Sequence, residues 1–147
     1  MDKDTQPKPR VLFLCTHNTA RSQMAEALLK KHAGDRFEVY SAGFESADIH
    51  PFTRRVMAEV GIDLSGQHSK GVREYLGKIN FAYVIIVCDR AEKTCPTAFP
   101  SISQQRLFWP FEDPVAFKGT DEEKLAKFRE IRLQIDARIR QWLRELA

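Results

Sequence analysis

At 147 residues, with 43% hydrophobic and 29% charged residues, the chain has the size and composition of one globular domain with a single core rather than a disordered tail. No apolar run approaches the roughly 18 residues of a membrane-spanning helix, and a net charge of +3 gives a nucleic-acid role little support. Three cysteines cannot form a fully paired disulfide framework, so each thiol is either a buried filler or a reagent.

The opening MDKDTQPKPR is polar and carries prolines. Residues 1–9 read as a disordered lead-in without a secretory core, residues 10–147 as a single catalytic domain, and the cytoplasm as the expected compartment. VLFLC, Val11 to Cys15, is an unbroken apolar run of the kind buried on both faces of a parallel sheet. After it, Met24, Ala25, Leu28 and Leu29 fall on one helical face and Gly34 marks the stop. FEVYSAG, Phe37 to Gly43, alternates as a second strand. Phe52, Val56, Met57 and Val60 give helical spacing behind Pro51, with Gly61 as the terminator.

AYVIIVC, Ala82 to Cys88, predicts a third buried strand. RLFWPF, Arg106 to Phe111, predicts a short fourth one at an edge, because Pro110 cannot donate to a ladder. The chain closes with a long helix whose apolar residues Leu125, Phe128, Ile131, Ile135, Ile139, Trp142 and Leu146 recur every three or four positions. Thr120 and Glu123 form a capping box at its start. The alternation predicts a single-domain α/β fold: a four-stranded parallel sheet with helices on both faces.

In such folds ligands bind at the carboxyl ends of the strands, where both Cys15 and Cys88 fall. The loop CTHNTARS supplies chemistry there. Thr16, His17, Asn18, Thr19 and Ala20 separate Cys15 from Arg21, enough for a tight loop whose backbone N–H groups point at one oxyanion. Asn18 suits a left-handed turn. Ser22 and the helix N-terminus add donors and a positive dipole end, and Arg21 can clamp two oxygens with its planar fork. The field that binds an anion also favours the thiolate at Cys15, making it a nucleophile. The plainer alternative is a Cys15 that fills a strand end and an Arg21 on a solvated helix face.

These residues carry a resemblance. CTHNTARS followed by QMAEALL resembles the phosphate-binding loop of the low-molecular-weight protein tyrosine phosphatase superfamily, and SAG, VGIDLSGQHS and WPFEDP look most like its thioredoxin-coupled arsenate reductases. The resemblance implies a general acid at Asp113, in Asp113-Pro114. It also implies a three-thiol relay in which Cys88 attacks after Cys15 and Cys95, in a polar segment before Pro96, carries the disulfide outward.

Arsenate is then the substrate, phosphate and sulfate its analogues, and the reductant an external thiol protein such as thioredoxin, with no tightly bound cofactor. Some reductases of this kind hold potassium through an Asn, a Glu, a Ser and an Asp. Asn18, Glu26 and Ser41 match three of these, but Gly71 stands at the fourth, which argues against a potassium site.

Two other functions fit the same loop: a phosphatase working through a Cys15 phosphocysteine, and a non-catalytic anion or redox sensor. Against the phosphatase, DPVAF lacks tyrosines after Asp113-Pro114 and Ala20 replaces a second loop cysteine. The four histidines, His17, His32, His50 and His68, have no metal-ligand spacing and read as structural or surface residues, with His17 at the rim of the loop. Trp109 and Phe111 read as packing, and Lys124, Arg129, Arg138 and Arg144 as a solvated helix face.

Overall fold

The computed structural model describes residues 8–44, 47–75, 79–88 and 103–146. Four strands, β1 (Arg10–Cys15), β2 (Glu38–Gly43), β3 (Phe81–Ile86) and β4 (Ser103–Phe108), form one sheet in the order β2-β1-β3-β4. Every neighbouring pair is parallel. Three α-helices follow in chain order: α1 (Arg21–Ala33), α2 (Pro51–Ala58) and α3 (Asp121–Leu146). Two 3-10 turns, Val72–Glu74 and Pro114–Ala116, complete the regular structure among the described residues. The chain is thus the four-stranded parallel α/β fold that the alternation of segments implies.

The two central strands are the two unbroken apolar runs, as burial on both faces requires. Val11, Leu12, Phe13 and Leu14 have no exposed surface, nor do Val84, Ile85 and Val87. The edges differ from expectation. β3 ends at Ile86, which leaves Val87 and Cys88 beyond the strand although both stay fully buried. β4 starts three residues before Arg106 and stops at Phe108, so Pro110 lies outside the ladder it cannot join.

On the sheet face that carries Phe13, α3 lays down Trp142, which meets Phe37 at 5.5 Å, Tyr83 at 5.1 Å and Trp109 at 5.7 Å between ring centroids. On the opposite face, the turn Val72–Glu74 brings Tyr75 edge-on to Tyr40. Trp109 and Phe111 are buried packing residues. The stripe along α3 ends at Trp142, since Leu146 is exposed.

The capping box forms as read: Glu123 N–H donates to Thr120 Oγ1 at 3.1 Å and Thr120 N–H to Glu123 Oε1 at 3.0 Å. Gly61 terminates α2 at φ +79°, a left-handed value that a β-carbon disfavours. Arg129 and Arg132 of α3 bond Glu59 at the end of α2, and Arg138 stacks on Trp109 at 4.6 Å, so the basic face is partly engaged rather than wholly solvated. Among the described residues, no helix is long and apolar enough to cross a membrane.

α1 departs most from its amphipathic reading. Every residue from Arg21 to Leu29 is buried, including Gln23, Glu26 and Ser22. A helix that buries polar side chains must supply them with partners. Those partners build the site.

Candidate active site

β1 delivers Cys15 to the carboxyl edge of the sheet and α1 begins at Arg21, so the loop between them is short and tightly determined. Asn18 takes φ +58°, the left-handed conformation expected of it. The loop's carbonyls are held from outside. Ser69 Oγ donates to His17 O at 3.1 Å, and Gln23 Nε2 donates to Asn18 O at 3.1 Å. Thr53 Oγ1 and His50 N–H both donate to Thr19 O, at 3.0 and 3.1 Å.

In a planar trans peptide the N–H of the next residue points opposite to the carbonyl. Outward carbonyls at His17, Asn18 and Thr19 therefore turn the N–H groups of Asn18, Thr19 and Ala20 inward. The first of these is seen directly: Asn18 N–H donates to Cys15 Sγ at 3.2 Å. The result is a concave set of donors around the thiol, beside the positive end of α1.

A second chain of bonds leads to the sulfur. The N–H of Lys70 donates to Asn18 Oδ1 at 2.8 Å, and since a backbone N–H can only donate, that atom is the amide oxygen. Asn18 Nδ2 then donates to Ser22 Oγ at 2.7 Å. Ser22 Oγ lies 2.8 Å from Cys15 Sγ, where its hydroxyl can donate to the sulfur once Cys15 has lost its proton. Cys15 Sγ thus sits in two hydrogen bonds, one from Asn18 N–H and one shared with the Ser22 hydroxyl.

Gln67 steadies the chain from behind, donating to Gln23 Oε1 at 2.7 Å, while Gln23 Nε2 also reaches Asn18 Oδ1 at 2.8 Å. The sequence reading missed Gln23, Gln67, Ser69, Thr53 and Lys70. Their signal is faint, because polar residues on a helix or loop are usually solvated.

Arg21 is buried and bridges the loop to the segment after β4. Its Nη1 donates to Phe111 O at 3.0 Å, and its Nη2 lies 3.7 Å from Asp113 Oδ2. Asp113 caps the turn Pro114–Ala116, accepting from Val115 N–H at 3.0 Å, and its side chain is about a quarter exposed, at 28%. The carboxyl therefore serves as a turn cap and still faces the pocket.

Cys15, His17, Thr19, Arg21, Asp113 and Val115 bound a cavity of about 30 Å³. That volume suits a small ion and not an organic ligand, whose pockets run from roughly 300 Å³. The nucleophile, loop, clamp and acid candidates are therefore brought together, with His17 at the rim as expected.

Cys88 lies one strand away. Leu14 pairs with Ile86, and Val87 N–H donates to Leu14 O at 2.9 Å, so the chain at Cys88 leaves the sheet next to the chain at Cys15. Cys15 is a free thiol and Cys88 is disulfide-bonded. Cys95 and the polar segment before it lie outside the described residues.

His50 and His32 have structural partners. His50 caps α2 by accepting from Phe52 N–H and packs on Phe128, and burial lowers its pKa. His32 pairs with Asp136. Asn18, Glu26 and Ser41 come together only in part: Ser41 Oγ bonds Glu26 Oε1, while Asn18 is joined to them through Lys70 rather than through Gly71.

Known proteins share this arrangement. Residues 10–147 match the low molecular weight phosphotyrosine protein phosphatase family. An arsenate reductase of Halalkalibacterium halodurans is 45% identical over 134 residues, covering 90% of this chain and 94% of that protein. A solved arsenate reductase in its phosphate-binding state superposes with a TM-score of 0.73 at 29% identity, covering 95% of this chain and 99% of the other. A thioredoxin-dependent arsenate reductase of Corynebacterium glutamicum gives 0.65 at 33% identity, over 96% of this chain and 63% of that one. With a cysteine, an arginine and an aspartate around one anion-sized cavity, and with relatives of this identity over nearly its whole length, the chain belongs to the low molecular weight phosphotyrosine protein phosphatase family, among its arsenate reductases.

Proposed function

We propose that the protein reduces arsenate to arsenite with Cys15 as nucleophile, Cys88 as the second thiol and Cys95 as the third. The observation that carries this reading is the doubly hydrogen-bonded Cys15 sulfur at the floor of a small cavity that Arg21 and Asp113 also line. The thiolate attacks arsenic, and Asp113 gives its proton to the departing oxygen so that water leaves. The inward N–H groups of the loop and the Arg21 fork hold the remaining oxygens.

Cys88 then attacks the Cys15 sulfur. A disulfide forms, the sulfur–arsenic bond breaks, and its electron pair passes to arsenic, which departs as arsenite. Cys95 next attacks Cys88, moving the disulfide outward and returning Cys15 to a thiolate. An external dithiol closes the cycle by taking up the disulfide. A thioredoxin-class protein fits this step and is supported by the thioredoxin-dependent relative. Such a cycle belongs in a reducing compartment, which favours the cytoplasm.

The engaged sulfur of Cys88 beside a free Cys15 supports this order of thiols, and so does the adjacency of the two chains at the sheet edge. The same loop and acid would serve a phosphate monoester, so slow phosphatase turnover through a Cys15 phosphocysteine is expected alongside.

The test is NADPH consumption with arsenate in the presence of a thioredoxin or a glutaredoxin system, followed by peptide mapping. Wild type should turn over, Cys88→Ser should stop before arsenite release, and Cys95→Ser should release one arsenite per enzyme. Cys88 and Cys95 still reduced after exposure to arsenate would defeat the relay and leave the phosphatase reading.

A further inference from the structure

Lys70 is almost fully buried, with 8% of its side chain exposed. A lysine seldom occupies such a place unless something there needs its charge. Its Nζ donates to His68 O at 2.7 Å and stands 3.7 Å from Glu26 Oε1. Glu26 is itself buried on α1 and accepts from Ser41 Oγ on the same oxygen. The other ammonium on Glu26 belongs to Lys30, which is half exposed and screened by water.

The backbone of Lys70 is equally committed. Its N–H holds Asn18 Oδ1, and its carbonyl accepts from Gly43 N–H at the end of β2, at 2.9 Å. One residue therefore joins the buried carboxylate of α1, the end of β2 and the amide that orients Ser22 toward Cys15.

We propose that the Lys70 ammonium is the resident cation of this buried oxygen site and a positioning residue for the nucleophile's loop, filling the place that a free alkali cation would otherwise take. Of the residues that read as a cation set, Glu26 faces the Lys70 ammonium, Ser41 bonds Glu26, and Asn18 bonds the Lys70 backbone N–H, so the charge the buried carboxylate needs is tethered to the chain. An ammonium group and a potassium ion are close in size and both prefer oxygen partners, so one can stand in for the other.

Burial pulls the Lys70 pKa down and Glu26 opposes that shift, as expected of an ammonium held by a buried carboxylate. Through Asn18 the position of Lys70 sets the donor on Ser22, which makes its effect on Cys15 indirect. The inference rests on the reading of Cys15 as nucleophile, and its test includes a measurement that does not depend on substrate.

The experiment compares wild type with Lys70→Ala in potassium, ammonium or choline chloride at constant ionic strength. Wild-type arsenate turnover should be the same in all three salts. Lys70→Ala should lose about 10- to 100-fold in kcat/KM in choline, the usual scale for residues one shell behind a reacting group. Ammonium and potassium should restore most of that loss.

In thermal melts, potassium should raise the midpoint of the variant and leave wild type unmoved, because only the variant has a vacant site for the ion to bind. Potassium stimulation of wild type, an undiminished Lys70→Ala, or a loss that neither ammonium nor potassium repairs would each overturn the proposal. If wild type fails to reduce arsenate at all, the functional reading fails, and the melts still decide whether Lys70 replaces a cation.

Discussion

Replacing Ser22 by alanine isolates the hydrogen bond that the site makes to its own nucleophile. The hydroxyl is 2.8 Å from Cys15 Sγ and accepts from Asn18 Nδ2 at 2.7 Å, so the substitution removes a donor to sulfur and an acceptor for a buried amide at once. A hydrogen bond to a charged group contributes about 1.5–3 kcal/mol. Spread over the thiolate and the transition state it leads to, that loss corresponds to a fall in kcat/KM for arsenate of about 10- to 100-fold.

The orphaned Asn18 amide, fully buried, adds a separate cost of about 1–3 kcal/mol in folding stability. At roughly 2–4 °C per kcal/mol for a chain of this size, the melting midpoint should drop by several degrees. Two assays keep the effects apart: the rate of Cys15 alkylation by iodoacetamide at neutral pH, which should fall with the loss of the donor, and calorimetry, which reads the amide. If alkylation and kcat/KM both stay within about twofold of wild type, the hydroxyl does not serve the sulfur, and the bond order derived from Lys70 through Asn18 is wrong.

Arg21→Lys keeps the charge but loses the planar fork and the bond to Phe111 O, and should lower kcat/KM on the order of 100-fold, as loss of an oxyanion donor does. Near-normal arsenate kinetics would remove Arg21 from the site. Asp113→Asn should slow formation of the Cys15 adduct on the order of 100-fold in single-turnover experiments and leave phosphate inhibition nearly unchanged. Weaker phosphate binding with an intact chemical step would reverse that assignment. Away from the site, the Arg129 hydrogen bonds, with burial opposing and Arg132 assisting, pull the Glu59 carboxyl to about 2 from an ordinary 4.5. A carboxyl depressed on folding stabilises above its ordinary pKa and loses that contribution as pH falls through 4.5 toward 2. Because Glu59 is exposed, the effect is on the order of 1 kcal/mol. Urea midpoints of Glu59→Gln should trail wild type at pH 7 and approach it near pH 2.5, and an equal gap at both would refute the assignment.

The parts of the site legible in the sequence are those whose causes are local. A strand, a left-handed Asn18 and a helix start at Arg21 lie within a dozen residues, and the capping box at Thr120 spans only four positions. β4 was misplaced because SQQRLF has no clean alternation, and an edge strand needs none. Gln67 and Lys70 escaped notice for a different reason. Their partners Gln23 and Asn18 stand 44 and 52 positions away, and only the fold turns two ordinary surface-type residues into donors to buried side chains. Gly71 was read at the fourth corner of the cation set, and the side chain that reaches Glu26 is that of its neighbour Lys70.

The strand order also accounts for how one scaffold can host both hydrolysis and reduction. β1 has β2 on one side and β3 on the other, so the chain leaves β1 at the point where the order reverses and neighbouring loops separate. Cys15 occupies that point with its ring of inward N–H groups, which with Arg21 and Asp113 is the set that hydrolysis of a phosphate ester would use. Reduction needs a second thiol that arrives from another strand without disturbing the first loop. The Leu14–Ile86 pairing meets this need, because the residues just past Ile86 must run beside those just past Leu14 at the strand spacing of about 4.8 Å. The register thereby brings the chain of Cys88 to the edge where Cys15 sits, with Val87 level with Cys15 and Cys88 one residue beyond. Substituting Cys88 should abolish arsenate turnover and spare phosphate monoester hydrolysis, since the loop, Arg21 and Asp113 all lie on other segments. If both activities fell together, Cys88 would be a packing residue of the sheet edge and not a redox partner.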